Sequence, residues 1–354
     1  MTDLLSLTPA AARDTLARWL STRGEPAYRL RQIAPRLWQR PVARWADASD
    51  LPAALRAALD ADFPLGRLEL AARQRSRDGT EKFLWRLADG DAIESVLIPE
   101  GRRRTLCVSS QVGCALRCAF CATGRMGWRR NLSAAEIAGQ ARELLLGDPA
   151  MKPTNVVFMG MGEPLLNWEA VDVALTILND AEGLGIGARH ITVSTVGILP
   201  NLARLAARAE QFRLAWSLHA PTTEVRRSLM PVERKYALAA VTEALRTFRR
   251  RVTLEYVLIG GVNDAPVHAD ALARLAGPLG ALVNLLPLHP GGAPDLVPSP
   301  RLRMLEFERR LKGHGVRAVL RRSRGLDISA ACGQLRIELD RTPKVGAQEH
   351  AGVE

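Results

Sequence analysis

The sequence predicts an α/β fold, a partial (β/α) barrel preceded by a small helical module and a β-hairpin extension. Three observations lead to this fold class. Apolar residues recur at helical spacing in the first part of the chain, short strands separated by Asp-Gly turns follow, and strands and helices then alternate to near the end. Repeated βα units of this length predict a parallel sheet covered by helices, because parallel strands need crossover connections.

Residues 1–62 are predicted to form the helical accessory module. Their apolar spacing predicts three short helices, over residues 10–20, 28–37 and 51–59. Residues 63–104 are predicted to form the β-hairpin extension, with strands over 68–72, 82–87 and 92–98. The Asp78-Gly79 and Asp89-Gly90 turns connect these strands as hairpins.

Residues 105–340 are predicted to form the barrel core. Apolar runs predict its strands, over residues 106–112, 155–159, 190–195, 213–218, 252–259, 281–286 and 316–321. Helical spacing predicts the intervening helices, over residues 133–146, 168–181, 201–209, 238–249, 269–275 and 300–312. Ser133 and Glu136 form a capping box at the start of the first of these helices. The polar residues 341–354 are predicted to be a disordered tail.

Length and composition are those of a globular protein of moderate size. The chain has 354 residues, of which 47% are hydrophobic and 24% charged. No apolar run approaches the roughly 20 residues that a membrane span needs. Five cysteines, three of them in one loop, fit a reducing compartment better than a disulfide framework. We therefore expect a cytoplasmic protein, with no membrane partner and no stable protein partner evident.

The charge balance favours a nucleic acid as the macromolecular partner. The chain carries 49 basic and 37 acidic residues, a net charge of +12. Arginine forks suit phosphate contacts, and a basic surface concentrates nucleic acid around it. Most of the excess charge lies in four arginine clusters, at positions 102–104, 125 with 129–130, 249–251, and 321–322 with 324.

Cys114, Cys118 and Cys121 form a C-x3-C-x2-C triplet with no fourth cysteine nearby. Structural zinc sites and electron-carrying clusters usually close their coordination with four protein ligands. Three cysteines therefore predict a 4Fe–4S cluster with one iron open to a substrate or cofactor. The alternative is a zinc site completed by a distant ligand, which Cys107 or a histidine would supply.

Polar groups follow most strands of the predicted sheet. Gly162 and Glu163 end one strand, and Ser194 and the tripeptide 217–219 end two others. Because parallel strands end at the same edge of a barrel, these groups predict a binding site for a polar small molecule. Phe120, directly before the last cysteine of the triplet, either covers a cofactor ring or packs against its own loop.

Four motifs carry a resemblance to a known family. They read VSSQVGC at 108–114, MGMGEPLLN at 159–167, SLHAP at 217–221 and RGLDISAACGQL at 324–335. With the cysteine triplet they resemble the radical SAM superfamily and, within it, the RlmN/Cfr family of RNA adenine methyltransferases. The similarity covers residues 12 to 340. It implies a barrel of radical SAM type that holds a 4Fe–4S cluster and uses two S-adenosylmethionine molecules per turnover.

The resemblance also implies roles for residues outside the triplet. Cys332 first takes a methyl group from S-adenosylmethionine, and a radical formed on a second molecule activates that methyl for addition to adenine. Cys107 then attacks the Cys332 sulfur, which leaves a transient disulfide and frees the RNA. Glu94 acts as the base that removes the ring proton. An external one-electron reductant is required.

The resemblance further implies a set of cofactor-binding residues. His289 in this set stands where the family has an asparagine, and its ring nitrogen can replace the amide in a hydrogen bond. The set comprises Gly162, Glu163, Ser194, Ser217, Leu218, His219 and His289.

The function implied is methylation of an adenine carbon, C2 first, in ribosomal RNA, with transfer RNA as a further candidate. The helical module and the arginine clusters would hold the RNA. Methylation at C8 by a member of the same family, or a divergent member with another RNA target, is the close alternative. A non-catalytic iron–sulfur RNA-binding protein is the alternative from another class.

Overall fold

The structure is a computed structural model that describes residues 2–248, 250, 252–289, 293 and 295–335. The predicted tail, the last residues of the predicted core and the arginines at 249 and 251 lie outside the described residues. Among the helices of the described part, none combines the length and the apolar character needed to cross a bilayer.

Twelve strands are described. They are β1 Glu69–Arg75, β2 Glu81–Arg86, β3 Ala92–Glu100, β4 Arg103–Cys107, β5 Gln111–Gly113, β6 Trp128–Asn131, β7 Asn155–Phe158, β8 Ile191–Thr195, β9 Arg213–Ser217, β10 Val252–Leu258, β11 Leu282–Pro287 and β12 Arg317–Leu320.

Twelve α-helices are described along the same residues. They are α1 Pro9–Thr22, α2 Arg29–Ile33, α3 Pro35–Trp38, α4 Ala53–Asp62, α5 Ala122–Arg125, α6 Ala134–Gly147, α7 Trp168–Asn179, α8 Leu199–Ala207, α9 Thr223–Leu229, α10 Leu238–Arg246, α11 Pro266–Ala276 and α12 Arg301–Gly313.

One ten-stranded sheet organises the molecule, in the order β1-β2-β3-β4-β7-β8-β9-β10-β11-β12. Strands β1 to β4 pair antiparallel, and β4 and β7 to β12 pair parallel. Helices connect the parallel strands, as right-handed crossovers require. Within the described residues β1 and β12 do not pair, so the sheet is an open, partial barrel extended by antiparallel strands. The predicted fold class is confirmed.

The N-terminal helices pack on the sheet through a buried arginine. The side chain of Arg142 on α6 is 1% exposed. Its Nε donates to the Leu37 carbonyl at 2.8 Å and its Nη2 to the Val42 carbonyl at 2.7 Å. Burial lowers the pKa of Arg142 to about 10. Because a buried guanidinium needs such acceptors, this contact fixes how the first helices sit on the core.

Two sequence predictions of local structure were wrong, and some short elements were missed. The helix over 28–37 is split into α2 and α3 at Pro35, which has no N–H to continue the helical ladder. The strand over 106–112 is two strands in different sheets, β4 and β5, separated by residues that bond α6 and the chain after β7. Strand β6 and helix α9 were not predicted, because both are short and rich in arginine.

A fully buried ion pair lies between α9 and the turn before α10. Arg226 Nη1 contacts Glu233 Oε2, and neither side chain is exposed. Glu233 Oε1 also accepts from the Leu238 N–H at 2.9 Å, at the start of α10. Arg226 Nη2 donates to the Val196 carbonyl at 2.8 Å after β8. The pair thus ties three elements beneath the cysteine loop.

We expect Glu233→Ala to lower the free energy of unfolding by about 3–5 kcal/mol, because it leaves the Arg226 charge buried without its partner. Chemical denaturation monitored by circular dichroism measures the change. Glu243→Ala is the matched control, because its pair with Arg246 is exposed, and we expect no measurable effect. Equal stability of both variants would contradict a stabilising role for the buried pair.

Candidate active site

The three cysteines lie together in a loop that backbone hydrogen bonds hold on several sides. Cys114 N–H donates to the Gly127 carbonyl, and Ala119 N–H to the Leu229 carbonyl of α9, both at 2.8 Å. Charges on Cys114 and Cys121 each raise the pKa of Cys118, so the three sulfurs are close. Cys114 and Cys118 are buried, and Cys121 is half-buried.

The loop fits an iron–sulfur cluster by the chemistry of its donors. Burial raises the pKa of Cys114 to about 12 and also raises that of Cys118 well above its usual range. Such thiols ionise only beside strong positive charge, which iron ions supply. Within the described residues no group of three or more His, Cys, Asp or Glu converges to hold a single metal ion. A cluster does not need that convergence, because each cysteine ligates its own iron.

Glu163 lies beside the cysteine loop at the end of β7. Its Oε2 accepts from the Val196 N–H at 3.0 Å and its Oε1 from the Leu165 N–H at 3.1 Å. Burial raises its pKa to about 7. Its negative charge raises the pKa of Cys114, which places the carboxylate near the cluster ligands. A buried carboxylate with spare lone pairs can accept hydrogen bonds from an ammonium group.

Gly162 allows the chain before Glu163 to pass close to β5. It has φ +96°, and a Cβ atom there would lie 2.5 Å from the Gln111 Cβ. Gln111 Oε1 in turn accepts from the Glu163 N–H at 2.8 Å. The glycine is therefore required for packing against Gln111, and this packing orients Glu163.

Ser194 and Ser217 face each other across neighbouring strands. Their Oγ atoms are 3.2 Å apart, at the ends of β8 and β9. Glu255 on β10 is the register partner of Ser217 and is buried, and Asn284 on β11 donates its Nδ2 to Glu255 Oε1 at 2.8 Å. Four adjacent strands thus carry one polar row. The sequence reasoning missed Glu255, because it stands inside an apolar run rather than after it.

The Ser217-Leu218-His219 segment contributes mainly structure. The Leu218 side chain is completely buried in the core, so only its backbone can reach a cofactor. His219 has φ +54°, and its Nδ1 accepts from the Val257 N–H at 3.1 Å. Burial and the charge of Arg226 lower its pKa to about 3, so the ring is neutral. Phe120 packs edge to face on this ring, with centroids 4.6 Å apart.

His289 lies apart from this row, beyond the end of β11. Its Nε2 is 2.6 Å from the Ser323 Oγ, and the ring is half-buried. Burial lowers its pKa, so the ring is uncharged. One nitrogen is thus engaged by Ser323, and the other is the atom that can meet a ligand.

Cys332 and Cys107 approach the cysteine loop from two directions. Cys332 is accessible to solvent, yet surrounding protein desolvates it and raises its pKa to about 11. This combination indicates a recess. Negative charge on Glu255 and Cys121 raises the same pKa, and charge on Cys332 raises that of the buried Cys107. The Cys332 thiol therefore lies near both the loop and Cys107.

Glu94 on β3 is buried and forms an ion pair with Lys82 on β2. Glu94 Oε1 lies 3.0 Å from the Lys82 Nζ, and both side chains are largely buried. The Glu94 carbonyl also accepts from the Ser109 Oγ at 2.6 Å, which links β3 to the loop before the cysteines.

Comparisons with known proteins identify the family. A family model described as "Radical SAM superfamily" matches residues 108–272. "Probable dual-specificity RNA methyltransferase RlmN" from Gemmatimonas aurantiaca is 58% identical, over 99% of this chain and 98% of its own length. "Dual-specificity RNA methyltransferase RlmN" from Anaeromyxobacter sp. (strain Fw109-5) is 46% identical, over 92% of this chain and 89% of its own length. The chain belongs to the RlmN family of radical SAM RNA methyltransferases.

A solved structure agrees with this assignment. The crystal structure of a radical SAM methyltransferase from Sphaerobacter thermophilus has a TM-score of 0.88 and 43% sequence identity, and covers 95% of this chain and 99% of its own. The protein is thus an S-adenosylmethionine-dependent enzyme with a 4Fe–4S cluster. The predicted family, reaction class and cofactors are confirmed.

The buried Glu255 should make stability depend on pH. Its pKa is raised from 4.5 to about 7 by burial. The unfolded carboxyl loses its proton near pH 4.5 and the folded one near pH 7. The contribution of Glu255 to stability is therefore fully present below pH 4.5 and is lost as pH rises through this window.

We expect Glu255→Gln, which keeps the Asn284 hydrogen bond, to remove a pH-dependent loss of up to about 3 kcal/mol between pH 4.5 and 7. Urea denaturation at several pH values measures it, with the exposed Glu169→Gln as control. Identical pH profiles for the wild type and Glu255→Gln would show that folding does not shift the pKa of Glu255.

Proposed function

We propose that the protein methylates the C2 carbon of an adenine in ribosomal RNA, with transfer RNA as a second substrate, through a methyl group carried by Cys332. The observation that carries the proposal is the position of the Cys332 thiol. This thiol is accessible to solvent within a recess. Besides burial, negative charge on Glu255 and Cys121 raises its pKa, and charge on Cys332 adds to the effect of burial on the pKa of Cys107. A carrier cysteine needs this access to the cofactor on one side and to a resolving thiol on the other.

Cys114, Cys118 and Cys121 would hold the 4Fe–4S cluster, and with S-adenosylmethionine this cluster would supply methyl groups and a one-electron cleavage that produces a carbon radical. The Cys332 sulfur would receive a methyl group with loss of its thiol proton. Once the methyl carbon is joined to adenine, attack by the Cys107 sulfur, with loss of its thiol proton, would form an S–S bond and break the S–C bond to the RNA. The released carbon would keep the electron pair of that bond and take up a proton, which completes the methyl group. Burial, by raising the pKa of Cys107, keeps that thiol protonated before the step.

Glu94 is the proposed acceptor of the adenine ring proton. Its carboxylate shares a largely buried site with the Lys82 ammonium, 3.0 Å away. This cation stabilises the charged carboxylate before proton transfer, and it would be left unpaired afterwards unless the proton moves on. Lys82 is therefore the charged neighbour of the proposed base.

Gly162, Glu163, Ser194 and Ser217 are proposed to bind S-adenosylmethionine, together with the backbone at 218–219 and the ring of His289. The carboxylate of Glu163 suits the ammonium group and the serine hydroxyls suit ribose hydroxyls. This assignment is supported by the position of β7, β8 and β9, which end at one edge of the sheet, beside the cysteine loop.

The RNA is proposed to meet the basic residues that follow β12. Arg322 is exposed and Arg324 half-exposed, and neither forms an ion pair within the part of the chain that is described. Of the other clusters, Arg129 and Arg130 are paired with Asp91, Asp89 and Glu136. Positions 102 and 250 precede β4 and β10, and Arg103 and Arg104 begin β4, so these residues lie at the opposite edge of the sheet.

The enzyme is proposed to act in the cytoplasm with an external one-electron reductant. All five cysteines are free, which suits a compartment where the Cys107–Cys332 disulfide would be reduced after each turnover.

We expect Cys332→Ala to abolish methylation and Cys107→Ala to leave RNA covalently attached to the protein, because the carrier is lost in the first and its release in the second. The assay uses anaerobically reconstituted enzyme, reductant, S-adenosylmethionine and ribosomal or transfer RNA. Mass spectrometry of the nucleosides identifies the methylated carbon, and denaturing gels detect the adduct.

Ser329→Ala is the control for both variants, since it alters a neighbouring residue that carries no thiol. Methylated RNA from Cys332→Ala would refute the proposed carrier. If the product is methylated at C8, the proposed site of methylation changes from C2 to C8.

We expect Arg322→Gln/Arg324→Gln to weaken RNA binding and to reduce the slope of log Kd against log salt by about two, since each phosphate contact contributes roughly one. Filter binding at several salt concentrations measures this. Arg274→Gln/Arg309→Gln is the charge-matched control, because both residues lie toward the C-terminal ends of α11 and α12, away from the site. Equal effects of the two double variants would indicate only nonspecific charge attraction.

A further inference from the structure

We propose that the β1–β2 turn positions Cys332 through a clasp made by Ser76, Arg77 and Asp78 on the turn and by Gly325 and Asp327 on the C-terminal segment. The inference rests on the proposed role of Cys332 as the methyl carrier. It assigns a task to the β1–β2 turn, which lies outside the parallel strands.

Four hydrogen bonds define the clasp and its turn. Asp78 Oδ2 accepts from the Gly325 N–H at 3.0 Å, while its Oδ1 accepts from the Thr80 N–H at 2.9 Å. Asp327 Oδ1 accepts from the Ser76 Oγ at 2.5 Å and its Oδ2 from the Arg77 N–H at 3.2 Å. The two carboxylates thus bind each segment to the other across about 250 positions of sequence.

Close packing accompanies these hydrogen bonds. Gly325 has φ +63°, and a Cβ atom there would lie 2.8 Å from the Ala330 Cβ and 3.0 Å from the Thr80 Cγ2. Thr80 is completely buried under the segment. Any larger residue at 325 would push the segment away from the turn, so the two are fitted to each other.

A second set of bonds holds the chain on the other side of Cys332. The Ala122 N–H donates to the Gly333 carbonyl at 2.8 Å, and Thr123 Oγ1 donates to the Leu335 carbonyl at 2.7 Å. Ala122 directly follows the last cysteine of the triplet. Cys332 therefore lies on a short stretch that is fixed to the hairpin at one end and to the cysteine loop at the other.

This arrangement limits the volume that the Cys332 sulfur can occupy. In the proposed reaction the same sulfur must meet a methyl donor, an adenine and Cys107. A chain held at both ends raises the effective concentration of the thiol at each of these partners. Asp78 and Asp327 are thus positioning residues, which act through the segment and touch no reacting atom.

The variants follow from the bonding pattern. Asp78→Asn keeps one oxygen that can accept from the Thr80 N–H. Its amide NH2 then faces the Gly325 N–H and cannot accept from it. Asp327→Ala removes both acceptors, whereas Asp327→Asn can accept from Arg77 and donate to Ser76. Asp89→Asn is the matched control, because Asp89 begins the other Asp-Gly turn and bonds Asp91 and Arg130 instead.

The experiment measures how fast the Cys107–Cys332 disulfide forms. Full-length, cluster-loaded enzyme is reduced, then exposed anaerobically to oxidised glutathione, and the linked peptides are quantified by mass spectrometry over time. We expect Asp78→Asn and Asp327→Ala to slow the linkage roughly fivefold or more, because each loses a charge-assisted hydrogen bond. Asp327→Asn and Asp89→Asn should stay within about twofold of wild type.

A change in the disulfide rate at an unchanged thermal midpoint distinguishes positioning from general stability. Wild-type rates for both Asp78→Asn and Asp327→Ala would overturn the clasp. A wild-type enzyme that forms no such disulfide would overturn the resolving role of Cys107 instead, and with it the basis of the clasp. If Asp327→Ala does not fold, Ser76→Ala, which removes one hydroxyl, decides between the same two results.

Discussion

The common direction of seven parallel strands is the constraint on which the site depends. Strands β4 and β7 to β12 all end at one edge of the sheet, so the residues that follow them are brought together whatever their separation in sequence. The cysteine loop, Glu163, Ser194 and Ser217 meet there for that reason. The same constraint places residues at the start of strands, such as Arg103, at the other edge, where their charge cannot serve the site directly.

Much of the fold was readable from the sequence, because helical and strand periods are local signals. The capping box of Ser133 and Glu136 is present, and the strands of the core lie within two or three residues of their predicted bounds. The predicted strand over 106–112 failed for a tertiary reason. Its apolar pattern is continuous, but Ser109 turns inward, donating its N–H to Gln140 and its Oγ to the Glu94 carbonyl. The periodicity of apolar residues in the sequence does not indicate such tertiary hydrogen bonds.

The site was predictable as a set of residues but not as a set of bonds. Motifs and strand ends gave the candidates, whereas the partners that orient them come from distant elements. Lys82 pairs with Glu94 from the neighbouring strand, and Gln111 orients Glu163. Charge clusters show the same limit. The sequence shows where arginines cluster but not which of them are paired. In the structure Arg130 is paired with acidic residues, whereas no ion pair of Arg322 is found within the described residues.

The electrostatics of the interior complete the link between fold and chemistry. A chain of net charge +12 encloses two buried carboxyl groups, Glu163 and Glu255, in the same recess as its thiols. Burial raises the pKa of both carboxyl groups to about 7, since nothing in the interior compensates their charge fully. A cation that enters the recess supplies that compensation and lowers both values. The sulfonium and ammonium groups of S-adenosylmethionine are such cations, and the proposed binding of the cofactor at Glu163 would bring them to this recess.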